Sequence, residues 1–171
     1  MFSIAVTGPE STGKTTLCRF LEKKLGACLV EDHTRTYLEI RNGVYAERDL
    51  KNIALGYEKQ KVEAIQNTEG FLICDTEMTN ILIWAEDKFG KVDPLLQKLW
   101  EAEEFNLVLL CFPDLTWEPD PLRENSGKGE YFFHKFQDKL NEKFQKFYVI
   151  HGNEREEDAL KEINRRLLAH N

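Results

Sequence analysis

The sequence has 171 residues, of which 42% are hydrophobic and 31% are charged. This length suits one globular domain and leaves no room for a second of usual size, so we expect a single domain over residues 1–171. The 30 acidic residues outnumber the 23 basic ones and give a formal net charge of −7, which argues against a nucleic-acid-binding protein because that class needs a basic surface.

The first half of the chain alternates short apolar runs with segments of helical periodicity. In chain order we predict a strand over 2–6, a helix over 15–25, a strand over 27–30, one or two helical turns over 36–40, a helix over 48–66 and a strand over 71–74. Gly26 is suited to end the first of these helices.

The second half continues this alternation, with one exception. We predict helices over 79–89 and 95–104, a strand over 107–112, a loop over 115–129, a helix over 130–147, a strand over 148–150 and a helix over 154–168. The loop contains two prolines and two glycines among several charges. Strands separated by helices predict an α/β fold, with a five-stranded parallel sheet flanked by helices on both faces.

The sequence also bears on location. It begins without a basic segment followed by an apolar one, and no apolar run approaches the roughly 18 residues of a membrane span. None of the four cysteines forms a C-x-x-C pair. We therefore expect a cytoplasmic protein that binds no membrane.

The strongest motif is Gly-Pro-Glu-Ser-Thr-Gly-Lys-Thr at residues 8–15, followed by Thr16. It matches the phosphate-binding P-loop (Walker A) pattern G-x-x-x-x-G-K-[ST] between a predicted strand and a predicted helix, as that pattern requires. The predicted cofactors are ATP and Mg²⁺, with Lys14 on the β- and γ-phosphates and the Thr15 hydroxyl on the metal. Glu10 is an unusual neighbour for a polyphosphate, and we expect it to point away from the anion or to contact metal-bound water. The predicted cofactor-binding residues are Gly8, Pro9, Glu10, Ser11, Thr12, Gly13, Lys14, Thr15 and Thr16.

Other nucleotide-hydrolysing classes lack support. The segment Asp75–Met78 is not a D-x-x-G switch, and the sequence contains neither an N-K-x-D guanine-binding motif nor the L-S-G-G-Q signature of transporter ATPases. A compact kinase of a small metabolite fits best.

Further candidate residues follow the predicted strands, whose carboxyl ends meet at one edge of a parallel sheet. Asp75 follows an apolar strand, the pattern of a Walker B carboxylate that binds Mg²⁺, although a helix-capping Asp has the same pattern. Asp32 is suited to take the proton of an acceptor hydroxyl, and Arg35 to bind the transferred phosphoryl group. A surface salt bridge explains their spacing equally well.

The 115–129 loop is expected to act as a lid. Arg123 and Lys128 would close over ATP and exclude water, and Trp117 would stack on a flat base. An ordinary charged loop is the alternative. The predicted catalytic residues are Lys14, Asp32, Arg35, Asp75 and Arg123, and the predicted metal ligands are Thr15 and Asp75.

Five segments together resemble the ribosylnicotinamide kinase domain of NadR-type NAD-salvage proteins. The first is the phosphate loop, and residues 32–39 are similar to the family's E-Y-A-R-E-Y-L-E. Asp75–Thr76 matches its D-T pair, residues 84–91 its W-x-x-x-x-[FY]-G-K, and residues 117–123 its W-x-x-D-G-x-R lid. The resemblance implies a P-loop kinase that transfers the γ-phosphate of ATP to the ribose 5′-hydroxyl of nicotinamide riboside, with Asp32, Arg35, Asp75 and Arg123 lining the site.

The chain departs from the family pattern at several positions. Asp32 replaces Glu and His33 replaces Tyr beside the expected acceptor pocket, and Pro121 replaces a lid glycine. The chain also lacks the H-x-G-H motif of the adenylyltransferase that some family members carry, so we expect a stand-alone kinase domain.

The leading hypothesis is therefore a kinase that makes nicotinamide mononucleotide, with a small-molecule partner and no nucleic acid. Two alternatives remain open. One is a kinase of another nucleoside or nucleoside monophosphate, and the other is a regulatory or assembly ATPase that acts with a protein partner.

Overall fold

A computed structural model of the chain describes residues 1–143 and 145–170. The five strands of this part are β1 (Phe2–Thr7), β2 (Cys28–Val30), β3 (Phe71–Asp75), β4 (Leu107–Cys111) and β5 (Phe147–Ile150). Its seven helices are α1 (Lys14–Leu25), α2 (His33–Ile40), α3 (Glu47–Gln66), α4 (Met78–Phe89), α5 (Pro94–Ala102), α6 (Gly129–Glu142) and α7 (Arg155–His170).

The strands form one sheet in the order β2-β3-β1-β4-β5, and all four neighbouring pairs are parallel. The carboxyl ends of the strands therefore lie at one edge, where the segments that follow β1, β2, β3 and β4 meet. The predicted fold class, a five-stranded parallel sheet with helices on both faces, is confirmed.

Both faces of the sheet are covered because successive residues of a strand point to opposite sides. On one face, Ile4 and Leu109 pack with Leu21 of α1 and Ile163 of α7. On the other, β1 and β4 contact α4 and α6, while β2 and β3 contact α3, α4 and α5. The phosphate loop is thus anchored between two buried layers.

Two predicted helices differ from the structure by three residues or more at one end, and the others by one or two residues. α2 begins at His33 instead of residue 36, because the Asp32 carboxylate caps it by accepting a hydrogen bond of 3.0 Å from the Thr34 backbone N–H. The helix predicted over 130–147 is too long: α6 ends at Glu142, and Phe147 belongs to β5, where it pairs with Val108.

Phenylalanines at helical spacing hid the end of α6, since no glycine or proline marks it in the sequence. Phe144, which the predicted helix included, lies outside the described residues.

A glycine within α3 is explained by close packing. A Cβ on Gly56 would lie 2.0 Å from Nε2 of His33, so the imidazole packs directly against the α3 backbone. The position of His33 therefore accords with a packing role.

In the described part of the chain, none of the helices combines the length and the hydropathy that crossing a membrane demands.

Candidate active site

The phosphate loop has a backbone that depends on its glycines. The φ angles are positive at Gly8 (132°), Ser11 (59°) and Gly13 (75°). A Cβ on Gly8 would lie 2.7 Å from the carbonyl oxygen of Cys111, so only glycine fits there. The first turn of α1, which follows, contains no acidic residue. Its partial positive charge therefore remains available for an anion.

Lys14 lies at the start of α1, where the phosphate loop ends. Its ammonium group donates a hydrogen bond of 2.6 Å to the Pro9 carbonyl, and the Thr12 hydroxyl donates to the same oxygen at 2.8 Å. The Lys14 charge also lowers the pKa of both Asp32 and Asp75, against the larger effect of burial. The ammonium group is therefore close to the two carboxylates predicted for the site.

Asp75 ends β3, directly beside the strand that leads into the phosphate loop. It pairs with Val6 of β1, and the next residue, Thr76, has a left-handed backbone with φ of 76° and donates to the Val6 carbonyl at 2.9 Å. The Asp75 side chain is buried, and its Oδ1 atom has no hydrogen-bond partner among the described residues.

The environment of Asp75 suits a metal ligand. Burial raises the pKa of its carboxyl, a hydrogen bond with the Thr15 hydroxyl lowers it, and the charge of Asp32 raises it further. The capping alternative is not observed, since Glu77 caps α4 by accepting a hydrogen bond of 2.6 Å from the Thr79 N–H.

The predicted Mg²⁺ fits Thr15 and Asp75, which are in contact and offer the oxygen ligands that this ion prefers. No group of three His, Cys, Asp or Glu side chains placed to hold a metal occurs within the described ranges. Mg²⁺ in kinases commonly takes one or two protein carboxylates and completes its shell with phosphate oxygens and water, so no larger cluster is needed.

Asp32 both caps α2 and lines the cleft above the phosphate loop. Burial raises the pKa of its carboxyl, and the charge of Lys14 lowers it to a smaller extent. A carboxylate with a raised pKa accepts a proton more readily than a solvated one, as a general base must.

Arg35 lies on the first turn of α2 and is half exposed. Its guanidinium pairs with Asp120 at 2.9 Å and with Glu39 at 3.0 Å. Asp120 belongs to the 115–129 loop, so the pair joins this loop to α2. The salt bridge between Asp32 and Arg35 that their spacing allowed is not formed, since Arg35 pairs with Asp120 and Glu39 instead, and Arg35 also lines the cleft.

The 115–129 loop passes over the phosphate loop and has no helix or strand before Gly129, its last residue, which begins α6. The Arg123 guanidinium donates to Ser11 Oγ at 3.4 Å and to the Glu118 carbonyl, and it lies 6.0 Å from the centre of the Trp117 ring. Arg123 and Lys128 both line the cleft. The structure thus places these cations at the phosphate loop.

One wall of the cleft was missed by sequence reasoning. The Trp84 indole donates to the Tyr45 hydroxyl at 3.0 Å, and the two rings are 4.6 Å apart. Lys88 lies 4.1 Å from the Tyr45 ring centre and donates to Glu124 at 2.6 Å. The spacing of Trp84 and Lys88, four residues apart on one helix, was the available signal, because such residues share a face.

A single cleft of about 630 Å³ joins these parts. Among its lining residues are Lys14, Asp32, Arg35, Asp75 and Arg123, all the predicted catalytic residues, together with every residue of the predicted phosphate loop, Gly8–Thr16.

A buried acid behind the site leads to a pH-dependence prediction. Burial and the nearby charge of Glu103 raise the pKa of Glu77 to about 7. The folded protein then holds a proton that the unfolded chain releases near pH 4.5, so the free energy of unfolding falls as pH rises from about 4.5 to about 7, by about 1–3 kcal/mol. Urea unfolding at pH 5 and pH 8 measures this fall. In Glu77→Gln we expect it to be much smaller, and an equal fall in that variant would contradict the assignment.

Comparison with protein families gives one match. The family model AAA_28, described as an AAA domain, matches residues 3–157. The chain belongs to the AAA domain family. The chain is also similar to the trifunctional NAD biosynthesis/regulator protein NadR of Salmonella typhimurium, with 26% identity over 125 residues. The aligned part is 71% of this chain and 30% of the relative, so the match spans less than a third of that protein.

Solved structures of NadR have a fold similar to that of this chain. The AAA domain described here resembles a crystal structure of NadR in complex with NR, with a TM-score of 0.80, 20% identity, and coverage of 96% of this chain and 51% of that one. It also resembles NadR in complex with NAD and AMP-PNP, with a TM-score of 0.77, 22% identity, and coverage of 90% and 44%. The resemblance to the NadR-type kinase domain that the sequence motifs indicate is confirmed, and the fold is that of P-loop kinases.

Proposed function

We propose that this protein is an ATP-dependent kinase that phosphorylates nicotinamide riboside to nicotinamide mononucleotide. The observation that carries the proposal is the cleft itself. It brings the phosphate loop, a buried carboxylate with an unpartnered oxygen at Asp75, a second carboxylate at Asp32 and the Trp84 ring around one space. The NadR relative is named for NAD biosynthesis, and the two similar NadR structures are complexes with NR and with NAD and AMP-PNP. These similarities support nicotinamide riboside and ATP as the substrates of this protein.

The donor side of the cleft suits ATP. The backbone N–H groups of the phosphate loop and the N-terminus of α1 would hold the phosphates, with Lys14 on the β- and γ-phosphates. Thr15 and Asp75 would hold Mg²⁺, which, when bound, offsets the negative charge of the phosphates. Arg123 would bind the transferred group, because transition-state charge gathers on its oxygens.

The acceptor side supplies the proton acceptor. As the bond between the ribose oxygen and the γ-phosphorus forms, the bond from that phosphorus to the β,γ-bridging oxygen breaks and ADP leaves. The hydroxyl proton passes to the Asp32 carboxylate. We assign this role to Asp32 and not to Asp75, because Asp75 ends β3 beside the Thr15 hydroxyl, in the position expected of a metal ligand.

Charge pairing favours a nucleoside over a nucleoside monophosphate as the acceptor. Arg35 and Lys88, on the acceptor side of the cleft, are paired with Asp120 and Glu124 at 2.9 and 2.6 Å. A phosphate on the acceptor would have to break these pairs. Nicotinamide riboside carries a positive ring and no phosphate, and the face of an indole such as Trp84 attracts a cation.

A panel of acceptors tests the proposal. ADP release from Mg²⁺-ATP is measured with nicotinamide riboside, other nucleosides, nucleoside monophosphates and no acceptor. We expect turnover that depends on nicotinamide riboside. Turnover with only another nucleoside or a monophosphate would replace the substrate, and hydrolysis that responds to no acceptor would favour an ATPase that acts with a protein partner.

Trp84→Ala should weaken the acceptor site alone. Losing the ring should raise the KM for nicotinamide riboside about 5- to 30-fold, since a stacked cation contributes about 1–2 kcal/mol, while the KM for ATP should stay within about twofold. Steady-state kinetics with each substrate varied in turn measures both constants, and Tyr131→Ala is a control on an exposed aromatic side chain outside the cleft. Equal effects on the two KM values would contradict the placement of the acceptor.

A further inference from the structure

Glu10 occupies a variable position of the phosphate loop, where a negative charge opposes the binding of a polyphosphate. Both of its carboxylate oxygens contact one residue of the 115–129 loop. Oε2 accepts a hydrogen bond of 3.1 Å from the Asn125 backbone N–H, and Oε1 accepts one of 3.0 Å from its side-chain Nδ2. The charge of Glu10 is thus directed at this loop and bound by two neutral donors.

The neighbouring residue makes a second connection to the same loop. Ser11 Oγ accepts hydrogen bonds from the Glu118 backbone N–H at 2.9 Å and from Arg123 Nη1 at 3.4 Å. The contacts to Glu118 and Asn125 therefore bracket Arg123, five residues before it and two after it. Glu10 and Ser11, two adjacent variable positions of the phosphate loop, thus hold the part of the 115–129 loop that carries Arg123.

We propose that Glu10 is a positioning residue for phosphoryl transfer, which holds Asn125 and thereby fixes Arg123 above the phosphate loop. The proposal rests on the proposed kinase function. Arg123 itself makes few restraining contacts in the loop, since its guanidinium donates to one hydroxyl and one nearby carbonyl. A carboxylate that accepts two N–H groups is a stronger anchor, because hydrogen bonds to a charged acceptor exceed neutral ones in strength.

The expected kinetic signature separates positioning from a simple charge effect. In Glu10→Ala and in Asn125→Ala, kcat should fall about 10- to 100-fold while the KM for ATP stays within about threefold, because a misplaced cation affects the transition state more than ground-state binding. The double variant should be no worse than either single variant, since both remove the same contact. Glu10→Gln keeps one acceptor oxygen and should retain intermediate activity.

Two kinetic outcomes would overturn the proposal. One is normal kcat in Asn125→Ala with an impaired Glu10→Ala, which would mean that the Glu10 charge acts directly on the phosphates. The other is multiplication of the two single effects in the double variant. Glu69→Ala is the matched control, because it removes an exposed carboxylate at the opposite end of the strands, just before β3.

A second measurement does not require kinase activity. Trypsin cleaves after Arg123 and after Lys128, so its rate at these two bonds reports how firmly the 115–129 loop is held. We expect cleavage about tenfold faster in Glu10→Ala and Asn125→Ala than in the wild-type protein and in Glu69→Ala. Unchanged cleavage rates would refute the role of Glu10 as an anchor. If the wild-type protein phosphorylates no acceptor, the kinase proposal fails while the proteolysis result still stands.

Discussion

Lys14→Ala abolishes ATP turnover while the protein remains folded. We expect kcat to fall by about a thousandfold or more, because the ammonium group stabilises the negative charge that develops on the β- and γ-phosphates during transfer. Among the described residues this group bonds a single neighbouring carbonyl, that of Pro9, and the side chain is partly exposed. Its loss should therefore cost little stability.

Turnover of Mg²⁺-ATP in the presence of nicotinamide riboside measures the effect, and thermal unfolding checks the fold. Lys23→Ala is the matched control, since Lys23 is an exposed lysine of the same helix. It should behave as the wild-type protein does. A well-folded Lys14→Ala protein with normal activity would refute the phosphate-site assignment.

Asp75→Asn separates activity from stability. Removing the carboxylate should lower Mg²⁺-dependent turnover about 100- to 1,000-fold, because the metal loses its protein charge. Stability should be unchanged or higher without metal. Burial and the charge of Asp32 raise the pKa of Asp75, so the ionised carboxylate opposes folding at neutral pH, and this penalty is relieved only as pH falls through the raised pKa. The asparagine removes it at every pH.

Two measurements on one protein preparation test this prediction. Thermal unfolding in a chelating buffer reports stability, and initial rates across a Mg²⁺ series report metal affinity. Asp138→Asn, at an exposed position of α6, controls for the lost charge. An Asp75→Asn protein that is strongly destabilised would show that the carboxylate has a structural role, and one with unaltered Mg²⁺ dependence would remove it from the metal site.

The core of the site was predictable because local sequence patterns carry it. A glycine-rich loop between a strand and a helix specifies where phosphates bind, and an acid directly after an apolar strand lies at the same edge of a parallel sheet. Lys14, Asp32 and Asp75 were found in this way, and all three line the cleft.

The remaining parts of the site depend on contacts distant in sequence. Tyr45 and Glu124 are 79 residues apart and share a hydrogen bond of 2.9 Å, and Glu10 meets Asn125 115 residues away. No periodicity encodes such pairs. The charge of Glu10 is unusual for a phosphate loop, but only the position of the 115–129 loop above the phosphate site identifies Asn125 as its partner.

Helix ends show the same limit on a smaller scale. The sequence predicts a catalytic acid or a surface salt bridge at Asp32, yet the side chain caps α2, which begins three residues earlier than predicted. A helix cap of this kind depends on one side-chain hydrogen bond. An aspartate in the sequence is able to form that bond but does not always do so.

Following the label from γ-labelled ATP tests the proposed transfer of the γ-phosphate to a riboside most directly. With nicotinamide riboside and Mg²⁺ present, we expect the wild-type protein to move the label into nicotinamide mononucleotide, and Lys14→Ala not to do so. Label that appears only in inorganic phosphate, at a rate independent of any riboside, would contradict the proposed transfer.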